Sequence, residues 1–258
     1  MANKMEYACA THRGKVREEN QDNFYIDGKV AKSEECIFAG VFGCPENIIA
    51  VCDGMGGESN GAEAARIAAE RIRQADAALR KKTNTDTYAL ITGHIGMAHE
   101  DVRAMRDRTG KRSGSTINAV YTDGEKIRSY NLGDSRTYIF RDNALEQLSY
   151  DHTAAADLFR MKAISEKEMR LHPCRNQLYK YVGTKNPPPE PHIREEKLRE
   201  GDIILLCSDG LTDMCVHSEI VQSLAVCRSL KGTTAELVEK ALDNGGSDNI
   251  TVILMRGI

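Results

Sequence analysis

Apolar positions in this chain fall into two patterns. Short runs that are β-branched or alternate with polar residues recur at Asn23–Ile26, Ile48–Cys52, Thr116–Tyr121, Ile127–Asn131, Thr137–Arg141, Asp202–Cys207 and Ile250–Met255. Many are bounded by Gly, Asp or Asn, which turn the chain, so each is predicted as a short β-strand. Two longer stretches lie between the early runs. The first, from Asn60 to Lys82, is rich in Ala and carries Ile67 and Ile72 among Arg and Glu. The second, from Asp86 to Arg108, sets Leu90, Ile91, Ile95, Val102 and Met105 on an apolar stripe; both predict helices. A further helix is expected from Thr234, as its cap, to just before Gly245-Gly246. Ser165 and Glu168 have the spacing of a capping box for a short helix over residues 165–171. Strands dominate and helices are inserted in pairs without regular βαβ alternation. The pattern predicts an α+β fold on antiparallel sheets rather than a doubly wound one.

Composition narrows this picture. A chain of 258 residues with 41% hydrophobic and 28% charged residues can bury a full core. Pro187-Pro188-Pro189 and Pro191 read as a stiff loop and do not separate unlike halves, so one domain is expected. The net charge of -3 gives no clustered basic surface, and no nucleic-acid partner is expected. The eight Cys form no CxxC pair and mostly sit in apolar runs, as reduced thiols of a cytoplasmic protein do. No signal peptide and no membrane span are expected, because the N-terminus lacks an apolar core segment and no apolar run reaches 18 residues.

The aspartates carry the chemical signal. Ile48–Cys52 runs into Asp53-Gly54, Ile203–Cys207 into Ser208-Asp209-Gly210, and Arg128–Leu132 into Gly133-Asp134-Ser135-Arg136; Asp248-Asn249 leads into Ile250–Met255. A buried strand delivers its end residue to a fixed point at the rim of a core. A carboxylate there must be hydrogen-bonded, paired or metal-bound. In an antiparallel pair the end of one strand lies beside the start of the next, so Asp209 and Asp248 meet if their strands are neighbours. Carboxylates gathered at one sheet edge repel unless cations offset them, and an all-oxygen ligand set suits Mg²⁺ or Mn²⁺ rather than Zn²⁺. Taken singly, each Asp-Gly pair is more often an ordinary turn; it is their joint placement that argues for a metal site.

Seven short motifs in order over nearly the whole chain resemble those of bacterial type 2C (PPM) protein serine/threonine phosphatases. They are Thr11-His12-Arg13-Gly14-Lys15-Val16-Arg17-Glu18-Glu19-Asn20-Gln21-Asp22, Asp53-Gly54-Met55-Gly56-Gly57, Ser113-Gly114-Ser115-Thr116, Gly133-Asp134-Ser135-Arg136, Asp151-His152-Thr153, Ser208-Asp209-Gly210-Leu211 and Asp248-Asn249-Ile250-Thr251. The resemblance implies two packed antiparallel β-sheets flanked by α-helices, an α/β/β/α sandwich, with a metal pair in a cleft at one end. It implies that Asp53 bridges two Mn²⁺ or Mg²⁺ ions, that the Gly54 carbonyl binds one, and that Asp209 and Asp248 bind the other. Asp22 would hold metal-bound water, Asp134 with Asp209 would hold a third ion, and Arg17 would clasp the substrate phosphate. Hydrolysis would then use a metal-bridging water without a covalent phosphoenzyme. The implied partners are phosphorylated protein substrates of a Ser/Thr kinase, and a monomer is expected. Residues 154–193 would form a flap subdomain beside the cleft. The competing reading is a catalytically weak relative that binds phosphoproteins without turnover.

Two positions depart from the pattern. Relatives usually carry Glu where Gln21 stands, so one ion is expected to be held slightly less tightly. Met55 replaces the His that follows the DG pair in eukaryotic relatives; Met cannot donate a proton, so the resemblance implies that metal-bound water would protonate the leaving oxygen. Other enzyme classes lack their signatures: there is no C-x₅-R, no GxxxxGK[ST], and His99-Glu100 has no second His at the metalloprotease spacing. His152 is expected to shape the loop before the flap, and the Ala-rich 60–82 stretch to pack in the core.

Overall fold

The computed structural model describes residues 4–56, 60–81, 86–185 and 187–258. In chain order the strands are β1 (Met5–His12), β2 (Asp22–Ile26), β3 (Lys29–Val30), β4 (Cys36–Val41), β5 (Asn47–Met55), β6 (Gly114–Ser115), β7 (Ile117–Thr122), β8 (Lys126–Leu132), β9 (Arg136–Arg141), β10 (Ala144–Gln147), β11 (His192–Lys197), β12 (Ile203–Cys207) and β13 (Ile250–Gly257). The helices are α1 (Asn60–Leu79), α2 (Thr87–Thr109), α3 (Ala154–Arg160), α4 (Glu166–Leu171), α5 (Asp209–Thr212), α6 (His217–Ala225) and α7 (Leu230–Asp243).

The strands form two antiparallel sheets. One has the order β10-β9-β12-β13-β1-β4, the other β11-β8-β7-β5-β2-β3, with β6 paired to β5. Side-chain alternation sorts the core into layers. Ile49 and Val51 of β5 meet Ile204 and Leu206 of β12, with Cys9, Phe24, Val120 and Ile253, between the sheets. Their neighbours Ile48, Ala50 and Cys52 face α1 and α2, while Ile203, Leu205 and Cys207 face the α5–α7 side. The result is the expected α/β/β/α sandwich. Both faces of β5 and β12 are covered, which is why these strands read as unbroken apolar runs rather than alternating ones. The alanines of α1 at positions 64, 65, 68, 69 and 75 are buried. Their small side chains let the helix lie close on β5.

Boundaries differ from the sequence reading in explicable ways. The helix expected from Thr234 starts at Leu230, because Ser229 Oγ accepts from Gly232 N at 3.1 Å and caps it a turn earlier. Thr234 is buried within that helix. Helix α1 ends at Leu79, and Lys82 lies outside the described residues. Strands β1 and β4 and helix α6 were not anticipated. In β1 the apolar phase is diluted by Tyr7, Thr11 and small residues, and no turn signal precedes it. The capping box at Ser165 and Glu168 is present. His192, inside the span expected for the flap, already belongs to β11. Among the described residues no helix is long and apolar enough to cross a membrane.

One buried polar node fastens the helical layer to its sheet. Asp76 of α1 accepts from Tyr25 Oη at 2.6 Å, Arg80 Nε at 2.7 Å and the Ile48 amide at 3.2 Å. Removing the carboxylate orphans the Tyr25 hydroxyl and the Ile48 amide, and buried unsatisfied donors cost about 1–3 kcal/mol each. Asp76→Ala is therefore expected to lower unfolding stability by about 3 kcal/mol in urea titration. A loss below about 0.5 kcal/mol, the range of an ordinary surface change, would show that the node is dispensable.

Candidate active site

The ends of several strands open into one cleft of about 820 Å³, lined by the 17–21 loop, Asp53 to Gly56, Thr116, Asp134, Asp209, Asp248 and Asn249, with Asn176 and Leu178 from the 172–181 segment. Pairing explains how these residues converge. Cys207 of β12 lies opposite Val252 of β13, so β12 ends where β13 begins, and Asp209 comes beside Asp248. The first turn of α5 is pressed onto the other strand: a Cβ at Gly210 would run into the Asn249 carbonyl oxygen. On the other sheet Asp53 of β5 is opposite Asp22 of β2. Gly54 is wedged against the Gly61 carbonyl, leaving no room for a side chain.

Hydroxyl groups lock the two sheets' contributions together. The Asp53 amide donates to Thr116 Oγ1 at 2.9 Å, and Thr116 Oγ1 is 2.8 Å from Ser135 Oγ, next to Asp134. Asp22 lies behind the cleft wall rather than in it. It is buried, and its Oδ2 accepts from Ser208 Oγ and Thr251 Oγ1, both at 2.7 Å. Arg17, half-exposed at the mouth, donates from Nη2 to Asp248 Oδ2 at 2.6 Å. It is the only Lys or Arg among the described lining residues.

The electrostatics are those of crowded acids. Burial, then Asp209, Asp22 and Asp134, push the Asp53 carboxyl well above its usual range. Burial, then Asp134 and Asp248, do the same to Asp209. Asp134 is pushed up to about 7 by burial and Asp151. Asp22 rises to about 7 through burial, even though its two hydroxyl donors pull the other way. Among the described residues no three His, Cys, Asp or Glu side chains form a closed cage; the carboxylates instead ring the cleft, with Asp248 engaged by Arg17. The cleft nevertheless fits a hard divalent cation. Its donors are oxygens, and Asp209 Oδ1 is buried without any hydrogen-bond partner, a costly condition that a cation relieves.

The structure thus brings Arg17, Asp53, Gly54, Asp134, Asp209 and Asp248 to one cleft and sets Asp22 one layer behind. His152 is not in the cleft wall. It is buried, burial lowers its pKa to about 4, and Nδ1 accepts from the Gly133 amide at 3.1 Å, which steadies the turn bearing Asp134. Sequence reasoning placed Asn176 and Leu178 only within the segment expected beside the cleft, and left Thr116, Asn249 and Glu19, which sit in motifs, without an assigned role.

Comparisons with known proteins bear on the family and the fold. A family model described as Protein phosphatase 2C matches residues 41–249. The chain is 31% identical over 253 residues to the serine/threonine phosphatase stp of Listeria welshimeri, across 95% of this chain and 93% of that one. The crystal structure of the Mycobacterium tuberculosis serine/threonine phosphatase PstP/Ppp superposes with a TM-score of 0.82 at 27% identity, covering 98% of each chain. The catalytic domain of PstP in complex with two manganese ions gives a TM-score of 0.82 at 25% identity, over 99% of each chain. A family match spanning most of the chain, joined by a relative similar over nearly its whole length, establishes that this chain belongs to the protein phosphatase 2C family.

Proposed function

We propose that the chain is a metal-dependent protein phosphatase that hydrolyses phosphoserine and phosphothreonine in proteins, reversing a Ser/Thr kinase, without a covalent phosphoenzyme. The observation that carries this reading is the ring of crowded carboxylates around an unpartnered buried oxygen of Asp209, with an arginine at the mouth of the same cleft. Asp53, the Gly54 carbonyl, Asp209 and Asp248 would hold two Mn²⁺ or Mg²⁺ ions, and Asp134 with Asp209 a third. When bound, such ions supply an activated water nucleophile and offset charge on the phosphoryl oxygens.

The chain's own residues do the rest. Arg17 gives up Asp248 and turns its planar fork to two phosphate oxygens, a geometry that a Lys cannot match. Asp22 keeps Ser208 and Thr251 in place behind the site, which fixes the starts of α5 and β13. Met55 and Leu178 put apolar side chains into the otherwise polar lining of the cleft. Among the described lining residues there is no Cys or His, the side chains that cysteinyl- and histidyl-phosphate chemistry would need. The segment from residue 154 that carries α3 and α4 and reaches the cleft through Asn176 and Leu178 is read as the substrate-facing flap.

The test is phosphate release from a phosphothreonine peptide in EDTA and in Mn²⁺ or Mg²⁺. Wild type should be active only with a divalent ion. Asp209→Asn should lose about 10³-fold in kcat/KM, about 4 kcal/mol of transition-state stabilisation. In EDTA the same variant should melt no lower than wild type, because it removes an ionisable group that burial and neighbouring acids disfavour. A folded wild type that binds Mn²⁺ yet releases no phosphate would favour the phosphoprotein-binding reading instead.

The raised carboxyl pKa values fix a pH dependence. Asp22 and Asp134 rise to about 7, and Asp53 and Asp209 are pushed well above the usual carboxyl range. The folded state then holds more protons than the unfolded chain between pH of about 4 and 7, so in EDTA these groups withdraw stability as pH rises. Bound Mn²⁺ offsets the charge, so its gain in Tm should be larger near pH of about 7.5 than near about 5.5. Equal gains at both pH values would contradict the crowded-carboxylate account.

A further inference from the structure

The loop that carries Arg17 brings another charged side chain to the cleft. Glu19 lines it together with Gln21, Asp53 and Gly54. Gln21 Nε2 donates to Glu19 Oε1 at 2.5 Å. The other end of the amide is packed against the start of α1, where a Cβ at Gly61 would run into Gln21 Oε1. The backbone around the pair is pinned as well. The Gln21 amide donates to Asn249 Oδ1 at 2.9 Å, the Gln21 carbonyl accepts from the Gly54 amide at 3.2 Å, and the Glu19 carbonyl accepts from Asn249 Nδ2 at 3.0 Å. Flipping the amide would set its oxygen against the Glu19 carboxylate, so the carboxylate fixes its orientation. With its oxygen against Gly61 and its nitrogen on Glu19, Gln21 leaves the acceptor role at this corner to Glu19.

We propose that Glu19, oriented by Gln21, supplies the negative charge on this side of the cation site, as an outer acceptor for a hydrated divalent ion. The proposal rests on the metal-dependent reading above. Mg²⁺ keeps several of its waters when protein-bound, and those waters need carboxylate acceptors. It revises the expectation that neutral Gln21 weakens one ion: the charge missing at residue 21 stands two residues earlier in the same loop. Glu19 is a positioning residue for the ion and need not touch substrate.

Calorimetric titration of Mn²⁺ into wild type, Glu19→Gln, Gln21→Glu and the double variant tests this without reference to turnover. Glu19→Gln should raise the Kd of at least one Mn²⁺ by about tenfold, the lower end of what outer-shell partners contribute. Adding Gln21→Glu to it should return the Kd to within about threefold of wild type, because a carboxylate is restored at the same corner. Gln21→Glu alone should leave the Kd within about threefold. The KM for a phosphopeptide at saturating Mn²⁺ should not change in Glu19→Gln. A wild-type Kd in folded Glu19→Gln would overturn the proposal, and an accompanying rise in KM would assign the carboxylate to substrate recognition. Wild type that binds Mn²⁺ normally while Glu19→Gln does too removes this inference alone; wild type that binds no Mn²⁺ removes the metal-dependent reading with it.

Discussion

Repulsion among Asp53, Asp134, Asp209 and Asp248, held at one end of the sandwich, is the constraint to which the rest of the structure responds. Left alone, such groups would separate or take up protons. The fold denies them separation. Antiparallel pairing ties the end of β12 to the start of β13 and sets Asp53 beside Asp22. Two glycines, at positions 54 and 210, allow backbone approaches that any side chain would prevent. A chain of hydroxyls from Thr116 to Ser135 links the Asp134 turn to β5. The scaffold therefore stores unfavourable charge at a chosen place, and a hard cation is the natural complement.

Scaffold and recognition are divided between different parts of the chain. Strand ends supply the acids, whose positions follow from sheet register. Loops supply what meets a ligand: Arg17, Glu19 and Gln21 from one side, Asn176 and Leu178 from the other. The same partition explains why Arg17 is half-exposed in its ion pair with Asp248, while Asp22 is buried behind two hydroxyls. The acid behind the site is enclosed in the frame, and the arginine proposed to engage a phosphate stands at the exposed mouth.

Much of this was legible in the residues. Runs buried on both faces, such as Ile48–Cys52 and Ile203–Cys207, announce themselves, and an Asp at the end of each marks the site. Antiparallel adjacency of Asp209 and Asp248 followed from their placement at the end and the start of strands. Three things were not legible. Strand β1 mixes Tyr, Thr and Ala without a clean period, yet it is an interior strand of its sheet through long-range pairing with β13 and β4. The start of α7 depended on which of several hydroxyl residues caps it, a choice settled by local geometry at Ser229. Asn176 and Leu178 reach the cleft by tertiary placement of a segment without periodicity, and the hydrogen bond between Glu19 and Gln21 depends on a loop conformation that no spacing encodes.

The central strands have no solvent-facing phase. In β5 and β12 even and odd positions alike are enclosed, one set between the sheets and the other beneath helices. A substitution in either phase of these two strands is therefore felt by a packed layer, and they offer almost no neutral ground on which sequence can drift. Change that leaves the acids in place must be absorbed elsewhere, in the rim loops and the helical segment around residues 154–191. The architecture thus channels variation toward the rim of the cleft and the segment beside it, so that the border of the site can change while the acids at its centre stay put.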